Sequence, residues 1–529
     1  MQKLKKLIKT EVTLSFWIAL IAIIMIVVSS LVFSTKIEAF TGNLRDSLSS
    51  NLGWFYLLLV LFLVGVCFIL MLSPAGKIRL GDPGSRPEYS TVSWIAMLFS
   101  AGMGIGLVFY GAAEPLSHYA IQAPEAALYS QEALRDAFKY SFFHYGIHAW
   151  AIYAIVGLAI AYFQFRKKES TLLSSTLKPL IGNAVEGKLG KVLDSLTIFA
   201  TVIGVATSLG SGAIQINGGL NELLNVPQNH AVQLIIIIVA TVLFMASAIS
   251  GLDKGVKTLS NLNMILAGLL MVVAFIIGSN VEMMNTFTES IGLYLGDLLR
   301  MSTRTGAGNV NQQEWINSWT MFYWSWWLAW SPFVGVFIAR ISKGRTIREF
   351  VSYVLLIPSV FSFLWFSVFG VLSTDAFALD PSIAEKPFEQ LLFAAFDKYP
   401  LSGLMSLLAI VLVFSFFITS ADSATFVLAM QSEGGSLHPN NKIKVLWGIL
   451  VSAIAAVLLR AGGLNVLQNV LIIAAFPFAI LLLLVSISLM KELNYERKQM
   501  GLTIDPKRYP KKGLPFRSYE ENDDDDDEE

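Results

Sequence analysis

Apolar residues gather into runs of about twenty, separated by short polar connectors, along most of the chain. A bilayer core is about 30 Å thick, so a helix rising about 1.5 Å per residue crosses it with about 20 apolar residues. Such runs fall at 12–34, 54–73, 91–113, 140–164, 192–216, 231–250, 258–279, 318–341, 350–373, 402–430, 443–460 and 464–490. They predict an all-α polytopic membrane protein with about twelve crossings. Two runs carry helix breakers: Ala101-Gly102-Met103-Gly104-Ile105-Gly106 in the third and Ser331-Pro332 in the eighth. Each glycine weakens a helix by about 1 kcal/mol relative to alanine, and proline removes an N–H. Close packing of small residues is the plain alternative for the glycines. The two breaks lie five crossings apart, and irregular helices at corresponding places in two halves mark the binding site of inverted-repeat transporters.

Composition agrees with that class: 55% of residues are hydrophobic and 14% charged, against about 25% charged in a soluble domain. The net charge of zero hides an asymmetry. With the N-terminus inside, about thirty of the 38 Lys and Arg fall on the cytoplasmic side, which places both termini in the cytoplasm of a cell membrane. The first run starts basic like a signal peptide, but it is longer and no small-residue cleavage site follows, so it reads as a retained anchor. Cys67 is the single cysteine, which leaves no intrachain disulfide and no cysteine-based metal site. The stretch 283–301 mixes leucines with Glu289, Asp297 and Arg300 and suits a helix lying along the interface. The tail after Lys491 is basic and then ends in an acidic block from Asp523, which predicts disorder. The expected segments are therefore 1–11, a cytoplasmic N-terminus; 12–90, two peripheral helices; 91–282 and 318–490, two repeats; 283–317, an interfacial connection; and 491–529, a charged tail.

Trp324-Ser325-Trp326-Trp327-Leu328-Ala329-Trp330 is the densest chemistry in the chain. An interfacial belt of aromatics is the bland explanation. Counted from Ser318, however, Trp326 and Trp330 lie about 12 and 18 Å deep, too far for a belt, whereas Trp319 and Trp324 fit one. A tryptophan face attracts a quaternary ammonium, which has no N–H to donate. The fourth run adds Tyr145, Trp150 and Tyr153, which share an arc of about 140° on an uninterrupted helix. His144 and His148 have the spacing of a helical metal pair, but no carboxylate or cysteine partner is evident nearby, and His118, His230 and His438 are scattered. The tenth run carries Phe416-Phe417-Ile418-Thr419-Ser420-Ala421-Asp422, whose oxygens suit a hard cation or, equally, contacts between helices.

These residues resemble the betaine/choline/carnitine transporter (BCCT) family over 12–490. The likeness is carried by Met103-Gly104-Ile105-Gly106, Tyr110-Gly111-Ala112-Ala113-Glu114-Pro115, Trp326 to Phe333, Ala339 to Phe350 and Thr419-Ser420-Ala421-Asp422-Ser423. The detailed wording is most similar to bacterial glycine betaine transporters. The resemblance implies a LeuT-like core of two inverted five-helix repeats preceded by two extra helices, often assembled as a homotrimer among membrane lipids. It further implies a trimethylammonium box of Trp326, Trp327, Trp330, Trp150 and Tyr153. Tyr145 stands where the family commonly has tryptophan. The substrate carboxylate would meet the loosened backbone at Gly102, Met103 and Gly104. A Na⁺ site would use Ser100, Met103, Phe416, Thr419 and Ser420. A second would use Thr201 and Phe333, but Val205 brings no hydroxyl, so that site is either incomplete or completed by Thr207, Ser208 or another nearby oxygen. The implied activity is Na⁺-coupled import of glycine betaine for osmoprotection, with no enzymatic chemistry, no resident cofactor and no nucleic-acid partner. Choline or carnitine driven by protons or exchange is the alternative.

Overall fold

The computed structural model describes residues 12–102, 104–250 and 255–502. The N-terminal segment 1–11, Met103 and the acidic tail lie outside the described residues. Within them, regular structure is helical apart from one isolated bridge between Arg79 and Thr346. The long helices are α1 (Leu14–Val32), α2 (Ser34–Leu72), α3 (Thr91–Gly102), α4 (Ile105–Ala120), α5 (Gln131–Tyr145), α6 (Ile147–Ala161), α7 (Lys188–Leu224) and α8 (His230–Ser250). They continue with α9 (Gly255–Ile277), α10 (Asn280–Gly296), α11 (Val310–Ser318), α12 (Thr320–Ile341), α13 (Ile347–Leu379), α14 (Ser402–Ser432) and α15 (Asn441–Gln499). By length and composition, nine helical spans among the described residues can cross a membrane. Each expected apolar run falls largely on these helices, and the last two share α15, which turns sharply at Gly462 and Gly463. Gly463 has φ 64°, a left-handed conformation that suits a residue without Cβ.

Three expectations need correction. The second run extends far beyond 54–73: α2 begins at Ser34, and its polar first half continues the same helix. The fourth run is not continuous, because Gly146 (φ −90°, ψ −144°) separates α5 from α6. A Cβ there would meet the Phe363 ring at 2.8 Å, so only glycine admits that close approach. Conversely, the eighth run does not break at Ser331-Pro332: α12 runs through Pro332 as one helix. Proline cannot donate to the Leu328 carbonyl four residues back, but the Ser331 hydroxyl donates to that same oxygen at 2.8 Å. A neighbouring side chain thus replaces the bond the ring removes.

Burial sorts the helices into a centre and a rim. All of α6 and all of α12 except Phe337 and Arg340 are buried. By contrast, only 33% of the apolar window of α8 and 22% of that of α9 are buried. Ile235, Ile238, Val242, Ile265, Val272 and Ile276 point outward from these two helices, a surface that lipid tails solvate without cost. Both the helical pattern and this apolar rim make the protein membrane-embedded.

Capping and ion pairs set the ends. Thr346 and Glu349 form a reciprocal capping box at the start of α13, with bonds of 3.2 and 3.0 Å, a device worth about 1 kcal/mol. The expected interfacial helix is α10 together with Leu298–Ser302. It is tied inward by Lys139–Asp297 (3.1 Å) and Arg300–Glu125 (2.9 Å). Burial raises the Glu125 carboxyl, but the Tyr140 hydroxyl and the charges of Arg304, Lys139 and Arg300 outweigh it and hold the group below its ordinary value. From the same segment, Tyr294 and Ser302 reach His148 at 3.1 and 2.7 Å.

Candidate substrate-binding site

The chain between α3 and α4 leaves the helix at the expected glycines. Gly104 is extended (φ −143°, ψ 175°), and α4 restarts at Ile105. Beside this break lies a cavity of about 450 Å³, counted with its mouth. Its lining is Gly104, Gly106, Leu107, Tyr145, Ala149, Trp150, Tyr153, Trp326, Trp327, Trp330 and Ser362. All six aromatic residues expected from sequence therefore meet at one place. Gly104 joins them; Gly102 ends α3, and Met103 lies outside the described residues. Leu107, Ala149 and Ser362 were not foreseen, and Ser362 on α13 has no sequence signal beyond being a serine in an apolar helix.

Trp326 and Trp327 lie nearly parallel, with centroids 5.2 Å apart and an interplanar angle of 8°. Trp330 stands edge-on to Trp326 at 6.0 Å and 85°. Opposite them, Tyr145 and Tyr153 approach Trp327 edgewise at 5.2 and 6.2 Å, and Trp150 packs on Tyr153 at 5.3 Å. The indole N–H groups of the three cavity-lining tryptophans on α12 are all bonded within the protein. Trp326 and Trp330 donate to the Ser208 hydroxyl oxygen at 3.0 and 2.9 Å, and Trp327 donates to the His144 carbonyl at 2.9 Å. Ring faces are thereby fixed while their donors are used elsewhere, which suits a cation without N–H groups.

The glycines set the depth of the cavity. A Cβ on Gly106 would come within 2.9 Å of Trp326 and 3.1 Å of the Tyr145 hydroxyl; on Gly104 it would meet Trp330 only at an ordinary 3.6 Å. Tyr145 keeps an aromatic wall, but its buried hydroxyl has no hydrogen-bond partner. Trp324, assigned from depth to a belt, is instead buried against His148, with rings 5.8 Å apart and 15° from parallel.

Behind the tryptophan wall lies a polar cluster that sequence spacing missed. Glu114 accepts from His144 Nδ1 at 2.6 Å, from His118 Nε2 at 3.2 Å and from the Tyr323 hydroxyl. His144 therefore does have a carboxylate partner and His118 is not isolated, contrary to expectation. The reason is distance along the chain: Glu114 and His144 are thirty positions apart and meet only when α4 packs on α5. His144 and His148 do not share a site, because Gly146 intervenes and His148 faces Tyr294 and Ser302. The ligand atoms of Glu114, His118 and His144 lie within 4.8 Å of one another, a set of types that metals use, and both rings are within hydrogen-bond distance of the carboxyl group.

Comparison with known sequences decides the family. Residues 14–498 match the profile described as BCCT, betaine/carnitine/choline family transporter. The chain belongs to that family. It is 52% identical to the glycine betaine transporter OpuD of Bacillus subtilis over 94% of this chain and 98% of that protein. It is 41% identical to an ectoine/hydroxyectoine transporter of Virgibacillus pantothenticus over 92% and 97% of the two chains. Over 89% of this chain and 78% of the relative, it is 37% identical to the ectoine/glycine betaine/proline transporter EctP of Corynebacterium glutamicum. These proteins are named as transporters, and this BCCT member is a transporter and not an enzyme.

The residues expected to hold cations in this BCCT chain are placed less completely. Phe416 is buried, and Thr419 Oγ1 donates to the Ser415 and Phe416 carbonyls at 3.2 Å each. Asn263 of α9 reaches Thr419 at 3.4 Å and also bonds Ser415. Ser420 follows, half-buried; Ser100 belongs to α3 and Met103 lies outside the described residues. Asp422 is buried, with one oxygen accepting from Ser247 at 2.6 Å and the other unpartnered. At the second place, Thr201 Oγ1 donates to the Thr197 carbonyl at 2.8 Å, Val205 is buried, and the Phe333 ring packs on Trp330 at 5.0 Å. Ser208 donates to the Gly204 carbonyl at 3.0 Å and accepts from two indoles, so its one proton and two lone pairs are all in use. Ser208 anchors the tryptophans and has no lone pair left for an ion.

Proposed function

We propose that this transporter imports glycine betaine with Na⁺ by alternating access, as an osmoprotective symporter of the cell membrane with both termini in the cytoplasm. Its core would be two inverted repeats, 91–282 and 318–490, in a LeuT-like arrangement. The observation that carries the reading is the cavity in which Trp326, Trp327, Trp330, Trp150 and Tyr153 surround space at the Gly104 break. A trimethylammonium group fits the ring faces. The betaine carboxylate fits the opposite end, where α4 begins and backbone N–H groups lack helical partners. The 52% identity to a glycine betaine transporter supports that cargo.

For coupling, Thr419, Ser420 and the Phe416 carbonyl, all on α14, offer oxygens of the kind Na⁺ prefers. Thr201 and Phe333 frame a second place that Val205 leaves short of an oxygen, which favours one ion per cycle. One Na⁺ crossing about 100 mV supplies about 2.3 kcal/mol, and a tenfold gradient adds about 1.4 kcal/mol. Together they sustain a substrate ratio of a few hundredfold, sufficient for osmolyte accumulation. The test is uptake of radiolabelled glycine betaine, choline and carnitine into proteoliposomes with and without an inward Na⁺ gradient. Concentrative betaine uptake only with Na⁺ is the expected result; betaine uptake indifferent to Na⁺ removes the coupling, and preference for choline removes the cargo.

A further inference from the structure

We propose that Glu114 is a positioning residue for substrate binding: its carboxylate joins the helices that carry the cavity's walls and holds the Trp327 face in place. The inference rests on the reading of that cavity as the substrate site. Glu114 does not line the cavity. It lies one layer behind, fully buried on α4, the helix that starts at the Gly104 break. One of its oxygens accepts from the Tyr323 hydroxyl on α12, and the other accepts from His144 on α5 at 2.6 Å and from His118 at 3.2 Å. Thr320 of α12 completes the frame at 3.0 Å from His144 Nε2. With Nδ1–H donating to Glu114, Nε2 is left to accept the Thr320 proton, so both sides of the ring are defined.

Two routes run from this carboxylate to the cage. Tyr323 stacks on Trp327 at 5.7 Å and 21° and meets Tyr145 edgewise at 5.2 Å. His144 holds Trp327 through its main-chain oxygen at 2.9 Å and is followed at once by Tyr145. The break helix α4, the wall on α12 and the wall at the end of α5 are thus pinned to a single side chain. A cation held by ring faces needs those faces at a fixed separation, and a carboxyl group bonded to partners on several helices is a stiff way to fix them. The carboxylate's role is then geometric, exercised through Tyr323 and His144, with no contact to the ligand.

The test uses the full chain in liposomes, with radiolabelled betaine uptake and betaine titration of intrinsic tryptophan fluorescence. Glu114→Gln should raise KM and Kd by about tenfold or more, with the maximal rate changed less than about threefold. Tyr323→Phe removes one donor alone and should shift KM in the same direction by less. The double variant should be no worse than Glu114→Gln alone, because both act through one contact. If Glu114→Gln does not insert, Tyr323→Phe still decides. A purely structural role would lower the amount of inserted protein at unchanged KM, and that outcome, or fully additive KM shifts, overturns the inference. Unchanged KM in both variants while wild type binds betaine saturably sinks this inference alone; absence of saturable betaine binding by wild type sinks the cavity reading with it.

Discussion

The aromatic side of the central cavity and the proposed cation side are built by opposite strategies. On the aromatic side, every Trp N–H on α12 is tied to a carbonyl or to Ser208 where it borders the cavity, and parallel rings 5.2 Å apart leave little freedom. On the proposed cation side, Thr419 and Thr201 donate to carbonyls of their own helices, and the Thr419 oxygen also accepts from Asn263 at 3.4 Å. Ring faces bind through a quadrupole that is present however the ligand rotates, so a rigid box can be preformed. A hard cation needs several oxygens at once, which adjacent helices supply only when they are suitably apposed. On the proposed reading, substrate recognition would be assembled from one cluster and ion recognition would be distributed over α3, α7, α9 and α14.

That comparison can be broken most forcefully at the box. Trp330→Ala or Trp326→Ala should raise the betaine KM at least about thirtyfold, since a desolvated cation–ring contact is worth about 2 kcal/mol or more. Trp319→Ala, which removes a side chain bonded to Gln122 outside the cavity lining, should alter KM less than about twofold. Equal damage from all three, measured by uptake with matched insertion, would show that the rings matter for packing alone. Next in size, Gly106→Ala should raise KM about tenfold because its Cβ reaches Trp326 at 2.9 Å, whereas Gly104→Ala, with its nearest contact at 3.6 Å, should cost little.

The cation side gives intermediate effects of a different kind. Thr419→Ala should raise the Na⁺ concentration for half-maximal uptake about tenfold and leave the betaine KM at saturating Na⁺ nearly unchanged. Val205→Thr supplies the missing hydroxyl and should steepen the Na⁺ dependence of uptake; an unaltered Hill slope would show that Thr201 and Phe333 do not frame an ion. Smallest of all is Tyr145→Phe. Its hydroxyl has no partner and a quaternary ammonium has no N–H to offer it, so betaine KM should stay within about twofold. A large loss would assign that hydroxyl a direct role toward the carboxylate.

Much of the aromatic side was legible because it is local. Trp326, Trp327 and Trp330 lie on one turn-and-a-half of helix, so their clustering follows from their spacing along α12. The break at Gly104 was visible for the same reason. Gly146 was not, since one glycine inside an apolar run carries no sign of whether another helix, here Phe363 on α13, must pass within 2.8 Å of a Cβ. Pro332 misled in the other direction, because the rule that proline breaks a helix omits the Ser331 hydroxyl that takes over its bond. Glu114 with His144, and Ser208 with two indoles, are contacts between helices far apart in sequence. Nothing in spacing announces them; packing does.

The most direct measurement of the central claim is equilibrium binding of radiolabelled glycine betaine to the purified full chain, wild type beside Trp327→Ala, at saturating Na⁺. Trp327 is the ring through which both walls and the Glu114 cluster communicate. Saturable binding by wild type, weakened at least about thirtyfold in a variant that still inserts and remains monodisperse, is the predicted result. Equal affinity in the two proteins would contradict the account and place the quaternary ammonium elsewhere.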